Sequence, residues 1–436
     1  MPAPAVAASL PTSEVPESVG VNIHFTTGHE RHLDLIAAAG IRWVRMDFHW
    51  ASIERERGVY DWSAYDELTA NLEHRGLGAL YILDYSNPLH EETVTSPHPI
   101  TGKPHSTVAA PRRPESIAAF ARWAAAAAQR YAGRKVLWEI WNEPNGHFWP
   151  PAPNVTNYTA LALATAAAIR ALDPDAVVLA PATSGFPWDF LDAFLGSGVL
   201  AHLGGVTVHP YRPSSQPPET VGPDYVRLRA LLDRHAPADR KGKIPVLSGE
   251  WGYPTHTGGV SLETQAAFVA RQQLVNLLHG VPLSIWYDWK NDGDDPAERE
   301  HNFGLVRPNL QPKPAYHALR TLTRELARHR FALRYDTGRD ADFALVFTNA
   351  AGGAKLAAWT LGAPREISLR LSTRTNGALS LVSGLGATQT VRVRDGAFVL
   401  QLTGLPQYLD LGRAALALPP RRSSAGRATG SAAGAS

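Results

Sequence analysis

The chain has 436 residues, 44% of them hydrophobic and 19% charged, with a formal net charge of +2. This length suits one large domain or two ordinary ones with a sizeable core, and no block of like charge marks nucleic acid or an anionic membrane as partner. Cysteine is absent, which excludes disulfide scaffolds, thiol catalysis and cysteine-held metals.

Residues 1–18 read as a lead-in, Ala/Pro/Val-rich up to Pro16, with neither a basic start nor a continuous apolar stretch. No apolar run reaches the ~18–20 residues of a membrane span. From Val19 short β-rich runs alternate with helical patterns. Strands are expected over Val19–Phe25, Ile41–Asp47, Gly78–Leu83, Val136–Trp141, Ala176–Ala180, Gly205–His209, Ile244–Gly249 and Leu283–Asp288. Helices are expected near Glu30–Ala39, Trp62–Arg75, Pro114–Tyr131, Asn154–Leu172, Pro187–Leu195, Glu219–His235, Ser261–His279 and Lys313–His329. Runs apolar on both faces, such as Ala176–Ala180, are the mark of buried parallel strands. Eight strands each followed by a helix predict a (β/α)8 TIM barrel over 19–329. A doubly wound sheet is the alternative, but its Gly-rich phosphate turn is missing after the first strand. Beyond Arg330 only short alternating runs follow, with an Asp395-Gly396 hairpin signal. They predict a C-terminal all-β, sandwich-like domain over 330–412. Residues 413–436 end in Ser/Ala/Gly/Arg/Thr with nothing to bury, and read as a disordered tail.

Several motifs fail. His90-Glu91-Glu92 lacks the second histidine of a zinc helix, because Val94 holds that place. The Asp288–Arg299 segment has Lys290 and Arg299 where a calcium loop needs oxygen. There is no P-loop and no G-x-S-x-G. The reading therefore contains no metal and no cofactor.

Two motifs remain. The fourth strand ends in Trp138-Glu139-Ile140-Trp141-Asn142-Glu143-Pro144-Asn145, and the seventh in Val246-Leu247-Ser248-Gly249-Glu250-Trp251-Gly252. Each sets a carboxylate at the C-terminal mouth of a barrel strand, where barrel enzymes place their chemistry. Two carboxylates facing each other are the minimal equipment for cleaving a glycosidic bond. One must hold a proton for the leaving oxygen and the other must be ionised, and like charges in proximity push the two pKa values apart. Glu139, two residues before Trp141, shares a strand face with Glu143.

Trp141-Asn142-Glu143-Pro144 with Glu250 resembles the signatures of clan A retaining glycoside hydrolases. The longer run Glu139–Asn145 with a C-terminal β domain most resembles glycoside hydrolase family 39. Within that family the chain is similar to the branch beside bacterial exopolysaccharide gene clusters, typified by Psl-polysaccharide hydrolases, over residues 19–412. The resemblance implies Glu143 as acid/base and Glu250 as nucleophile. It also implies Arg45 and Tyr211 as groups that stabilise the ionised nucleophile. Asn142 would bond the sugar 2-hydroxyl, His209 belongs to the His-Pro-Tyr element, and Trp286 would form the platform under the sugar. Further substrate contacts are expected from Asp47, Trp50, Asp84 and Tyr85 after strands 2 and 3, and from Trp149, Trp251, Asp288, Trp289 and Lys290 in the loops after strands 4, 7 and 8. The segments Asn87–Pro114 and Asn291–Gly304 match nothing in the family pattern and should shape the groove.

The expectation is therefore a retaining O-glycosidase acting on β-type bonds, endo-acting on a bacterial exopolysaccharide. A periplasmic or secreted location and association with exopolysaccharide synthesis machinery go with that substrate. Two rivals stay open: a cellulase- or xylosidase-like clan member, and a non-catalytic polysaccharide-binding protein of a synthesis complex.

Overall fold

A computed structural model describes residues 9–98 and 101–417. Eight parallel strands close into a barrel: β1 (Val19–Asn22), β2 (Trp43–His49), β3 (Gly78–Asp84), β4 (Val136–Ile140), β5 (Val178–Ser184), β6 (Gly205–His209), β7 (Val246–Trp251) and β8 (Ser284–Trp286). Neighbours follow chain order around the ring, and β8 pairs with β1 through Val19↔Ser284 and Val21↔Trp286. The chain is thus the expected (β/α)8 barrel with further antiparallel sheets behind it.

Helices α1 (Glu30–Ala38), α2 (Ser63–His74), α3 (Pro114–Arg130), α4 (Val155–Leu172), α5 (Trp188–Leu195), α6 (Gly222–His235), α7 (Leu262–Leu278) and α8 (Pro314–Glu325) follow the strands in turn. Their starts obey local chemistry. Asn154 and Ser261 cap α4 and α7 through side-chain oxygens that accept from the backbone N–H three residues on. Pro114 and Pro314 open α3 and α8, where a missing N–H costs nothing. Among the described residues no helix is long and apolar enough to cross a membrane.

The barrel floor is an apolar plug of Trp43, Leu80, Leu137, Leu179, Leu247, Leu283 and Ile285. Side chains on a strand share a face every second residue. Two residues above Trp43 the inward position is Arg45, and two above Leu137 it is Glu139. The interior therefore changes from hydrocarbon to an ion pair within one step of the pleat.

The C-terminal part adds β9 (Arg330–Arg334), β10 (Asp342–Thr348), β11 (Ala354–Thr360), β12 (Arg365–Arg370), β13 (Gly377–Val382), β14 (Thr388–Val393), β15 (Ala397–Leu402) and β16 (Gln407–Gly412). A six-stranded sheet runs β9-β10-β11-β16-β13-β14, and β12 pairs with β15 in a second sheet. Ala344, Val346, Leu356 and Leu409 of the large sheet share one core with Ile367, Leu369, Phe398 and Leu400 of the small one. The alternate residues Phe343, Leu345, Phe347, Trp359 and Tyr408 belong to the barrel's own core. Arg271 of α7 and Trp359 both bond Glu219, at 2.6–2.7 Å. The sheet thus lies buried between barrel and small sheet, which is why β10 is apolar on both faces.

The lead-in departs from expectation at its end. Val15 is fully buried, its N–H bonds His329 O at 3.0 Å, and its carbonyl accepts from Arg328 N at 2.7 Å. A valine docked against the end of the barrel ties this part of the lead-in to the fold. Residues 1–8 and 418–436 lie outside the described residues, and so does most of the expected tail.

Candidate active site

Glu143 and Glu250 reach the mouth by breaking the strand pattern. After β4 ends at Ile140, Trp141 (φ 68°) and Glu143 (φ 44°) take left-handed conformations. This region costs an L-residue about 1–2 kcal/mol and is tolerated where surroundings over-determine it. Trp141 accordingly turns into the core against Trp149 and Phe120, and Glu143 turns to the mouth. On β7 the register with β8 slips between Ser248↔Ser284 and Trp251↔Trp286. The extra residue is a bulge, which re-aims a side chain, and Glu250 points inward because of it. Gly249 and Gly252 permit the turn. A Cβ at Gly249 would stand 3.1 Å from Glu139 Oε1, and one at Gly252 only 1.8 Å from Tyr287 O.

Arg45, 1% exposed, organises the interior. Its Nε donates to Glu139 Oε2 at 2.8 Å, Nη1 to Glu250 Oε2 at 2.8 Å and to Asn22 Oδ1 at 3.3 Å, and Nη2 to Asn142 Oδ1 at 2.9 Å. Burial alone would lower its pKa, but Glu139 and then Glu250 more than reverse this and hold it charged. Glu250 Oε1 accepts from the Tyr211 hydroxyl at 2.7 Å. Burial, followed by the Glu250 charge, keeps that tyrosine neutral by raising its pKa far above the usual value.

Arg45 Nη2 also lies 3.3 Å from His209 Nε2. A guanidinium cannot accept, so Nε2 is the acceptor and the ring proton sits on Nδ1. Nδ1 then donates to Glu143 Oε1 at 2.9 Å. Burial is the largest influence and raises the Glu143 pKa, but the His209 contact, followed by Ser184 and Arg45, together outweigh it, and the carboxyl lies below its ordinary value. Single ligand atoms of Glu143, His209 and Glu250 lie within 4.8 Å of one another. A cation there would have to displace the Nδ1 proton and the Arg45 and Tyr211 donors, so the donor set fits a carboxylate pair better than a metal.

Asn142 gives one amide hydrogen to Tyr85 Oη at 2.9 Å and keeps a second for a ligand. Asp84 ends β3 fully buried, with neither oxygen hydrogen-bonded and His49 Nδ1 3.4 Å from Oδ1. Burial, then the Asp47 charge, raises its pKa well above the carboxylate range. Asp288 after β8 matches it: buried, unbonded, raised by burial and then Asp292, with His24 Nε2 at 3.6 Å. Asp47 is half-buried, 3.7 Å from His49.

The expected aromatic contacts need correction. Trp286 is fully buried, its indole N–H directed at Phe303 O, so it offers no platform. The half-buried ring at this edge is its neighbour Tyr287, packed edge-on to Phe303 and His24. Trp50 stacks on His90 and bonds Glu54. Trp149 packs on Trp141 and Tyr158, Trp251 on Tyr253, and Trp289 bonds His32. All four are at most 2% exposed and face no ligand. Lys290 is half-buried and donates to Asn291 O. Inward alternation from Gly20 through Asn22 to His24 is the signal that would have found the β1 contribution.

Residues 12–293 match the model of the cellulase family, glycosyl hydrolase family 5. The chain belongs to this family of clan A glycoside hydrolases. The glycosidase is similar to a family 39 glycoside hydrolase from the gut symbiont Bacteroides cellulosilyticus WH2, with 26% identity and TM-score 0.75 over 92% of this chain and 82% of that one. It shares its fold with a family 39 β-xylosidase from Caulobacter crescentus, at 18% identity and TM-score 0.66 over 93% and 98% of the two chains. A β-xylosidase from Geobacillus stearothermophilus is 27% identical over 220 residues, 44% of this chain. That match takes in 42% of the relative's length. The family 39 resemblance read from Glu139–Asn145 is thereby supported.

Proposed function

We propose that this glycoside hydrolase cleaves β-type bonds with retention and acts within the chain of a bacterial exopolysaccharide. The observation that supports retention is that one carboxylate oxygen of Glu143 and one of Glu250 lie within 4.8 Å of each other. Retaining enzymes hold their carboxyl groups about 5–5.5 Å apart, and inverting ones about 6.5–9.5 Å, to admit a water. Glu250, gripped by Arg45 and Tyr211, attacks the anomeric carbon and forms a glycosyl ester as the leaving oxygen departs. Glu143 gives that oxygen its proton, then removes one from the water that hydrolyses the ester. Asn142 bonds the neighbouring hydroxyl. The polysaccharide reading rests on the sequence resemblance over 19–412, and it brings with it an exported location and a place beside the synthesis machinery.

A second reading is a β-xylosidase, favoured by the 27% identity to the Geobacillus stearothermophilus enzyme. The test is reducing-end release from a panel of bacterial exopolysaccharides and from β-xylan, wild type against Glu250→Gln. Release from exopolysaccharide by wild type alone is expected. Xylose from xylan ends as the sole product would favour the second reading. Binding without release by either protein would leave only a sugar-binding role.

A further inference from the structure

The segment after β3, which matched no family pattern, folds back as a two-stranded hairpin, Thr93–Pro97 against Pro104–Val108. Its inner side faces the loop that follows β4. Between them lies a cavity of about 390 Å³ lined by Ser96, His105 and Thr107 of the hairpin, Tyr85 after β3, and His147 and Phe148 after β4. That volume is in the range of small-molecule sites, ~300–1,000 Å³.

The cavity neighbours the reactive centre through two of its wall residues, Tyr85 and Trp141. Tyr85, in its wall, accepts from Asn142 Nδ2 at 2.9 Å, and Asn142 precedes Glu143. Its chemistry is that of a carbohydrate site. Tyr85 and Phe148 stack with centroids 5.6 Å apart and planes 11° apart, giving an aromatic surface suited to sugar C–H groups. His105 Nδ1 lies 2.9 Å from Ser96 O. A carbonyl only accepts, so Nδ1 carries the proton and Nε2 of the neutral ring is left as an acceptor. Thr107 adds a hydroxyl. Among the described residues no aspartate, glutamate, lysine or arginine lines the cavity, so its polar groups are hydroxyls and imidazoles, which suit the hydroxyls of a neutral sugar.

We infer that this cavity is a subsite for an uncharged sugar unit of the chain being cut, at least one unit beyond the two that flank the cleaved bond. The inference rests on the hydrolase reading and adds to it a substrate of three or more units, with a neutral sugar at this place.

The probes are β-1,4-linked xylo-, gluco- and manno-oligosaccharides of two to six units. Hydrolysis is followed for wild type and for Thr107→Trp, whose indole would fill the cavity, and binding by calorimetry with Glu250→Gln and Glu250→Gln/Thr107→Trp. Melting temperatures certify the fold, and His105→Ala serves as a milder second variant. In the ladder that is turned over, kcat/KM should rise about tenfold or more when the chain grows past two units, the weight of one good contact. Thr107→Trp should abolish most of that rise, and His105→Ala part of it. A chain-length profile that is flat, or unmoved by both variants, overturns the subsite and leaves the hydrolase standing. Binding that depends on chain length and on Thr107, without turnover by wild type, does the reverse. Binding of no ladder overturns the subsite.

Discussion

Glu143 and Glu250 sit at similar depth, with side chains 13% and 14% exposed, but they are held by unlike sets of partners. Glu250 receives a cation and a hydroxyl, from Arg45 and Tyr211, one on each oxygen. Glu143 receives one neutral imidazole, on Oε1. A carboxylate bound on both oxygens is oriented and stabilised as an anion, which suits a nucleophile. One bound on a single side by a histidine keeps an oxygen open and can change protonation when substrate excludes water. Equal burial therefore does not mean equal chemistry, because donor number and charge separate the roles.

The sharpest way to break this comparison is to remove each carboxylate. Glu250→Gln should lower kcat by about 10⁴-fold or more for every substrate. Glu143→Ala should lose about 10²–10⁴-fold with poor leaving groups, and far less with a nitrophenolate, which needs no proton. Steady-state kinetics with an aryl-glycoside series would show the contrast. Equal losses across that series in both variants would contradict the assigned roles.

A smaller effect should follow from loosening the grip on Glu250. Arg45→Lys removes the forked geometry while keeping a charge, and should cost about 10²–10³-fold in kcat, the scale of losing a preorganised donor. Tyr211→Phe should fall by less. Pre-steady-state kinetics would place both losses in formation of the glycosyl ester.

His209→Phe sharpens the other half. The His209 bond favours the ionised form of Glu143, so its loss should raise that pKa. If Glu143 is the acid, the alkaline limb of kcat/KM in the free enzyme should move to higher pH. An unmoved limb would show that another group sets it.

The smallest expected effect concerns Asp84, buried beside the mouth. The native protein keeps on Asp84 a proton that the unfolded chain releases above about pH 4. Stability therefore falls as pH rises past that point, and Asp84→Asn lacks the fall. Its melting temperature should match wild type near pH 4 and exceed it by about 2–4 °C near pH 7, for each ~1 kcal/mol recovered. Calorimetry across pH would test this, and a constant offset would contradict it.

The barrel was legible because its strands are apolar on both faces and its helices carry their own stop and start residues. The alternation is local, and a cyclic parallel sheet is its usual outcome. The C-terminal strands β9 and β16 were less legible. Arg330–Arg334 has little alternation, and Gln407–Gly412 follows no turn signal as clear as Asp395-Gly396, so their pairing comes from long-range neighbours. Glu143 and Glu250 stood out as carboxylates at strand ends. The tryptophans near them misled, because an indole in a loop has one signature whether it faces a ligand or a core. Five of the tryptophans expected at the mouth are buried, and the half-buried Tyr287 beside one of them takes the edge position.

By itself the sequence determined the order of strands and helices, the two carboxylates, and the absence of cysteine chemistry, since these depend on residue type and short spacing. Only the tertiary structure decided which atoms meet. The β7 bulge turns Glu250 inward, the left-handed residues after β4 place Glu143, and Arg45 links Glu139, Asn142, His209 and Glu250 across distances of 94 to 205 residues in sequence. Such contacts are set by closure of the barrel, where a single residue of register moves a side chain to the opposite face.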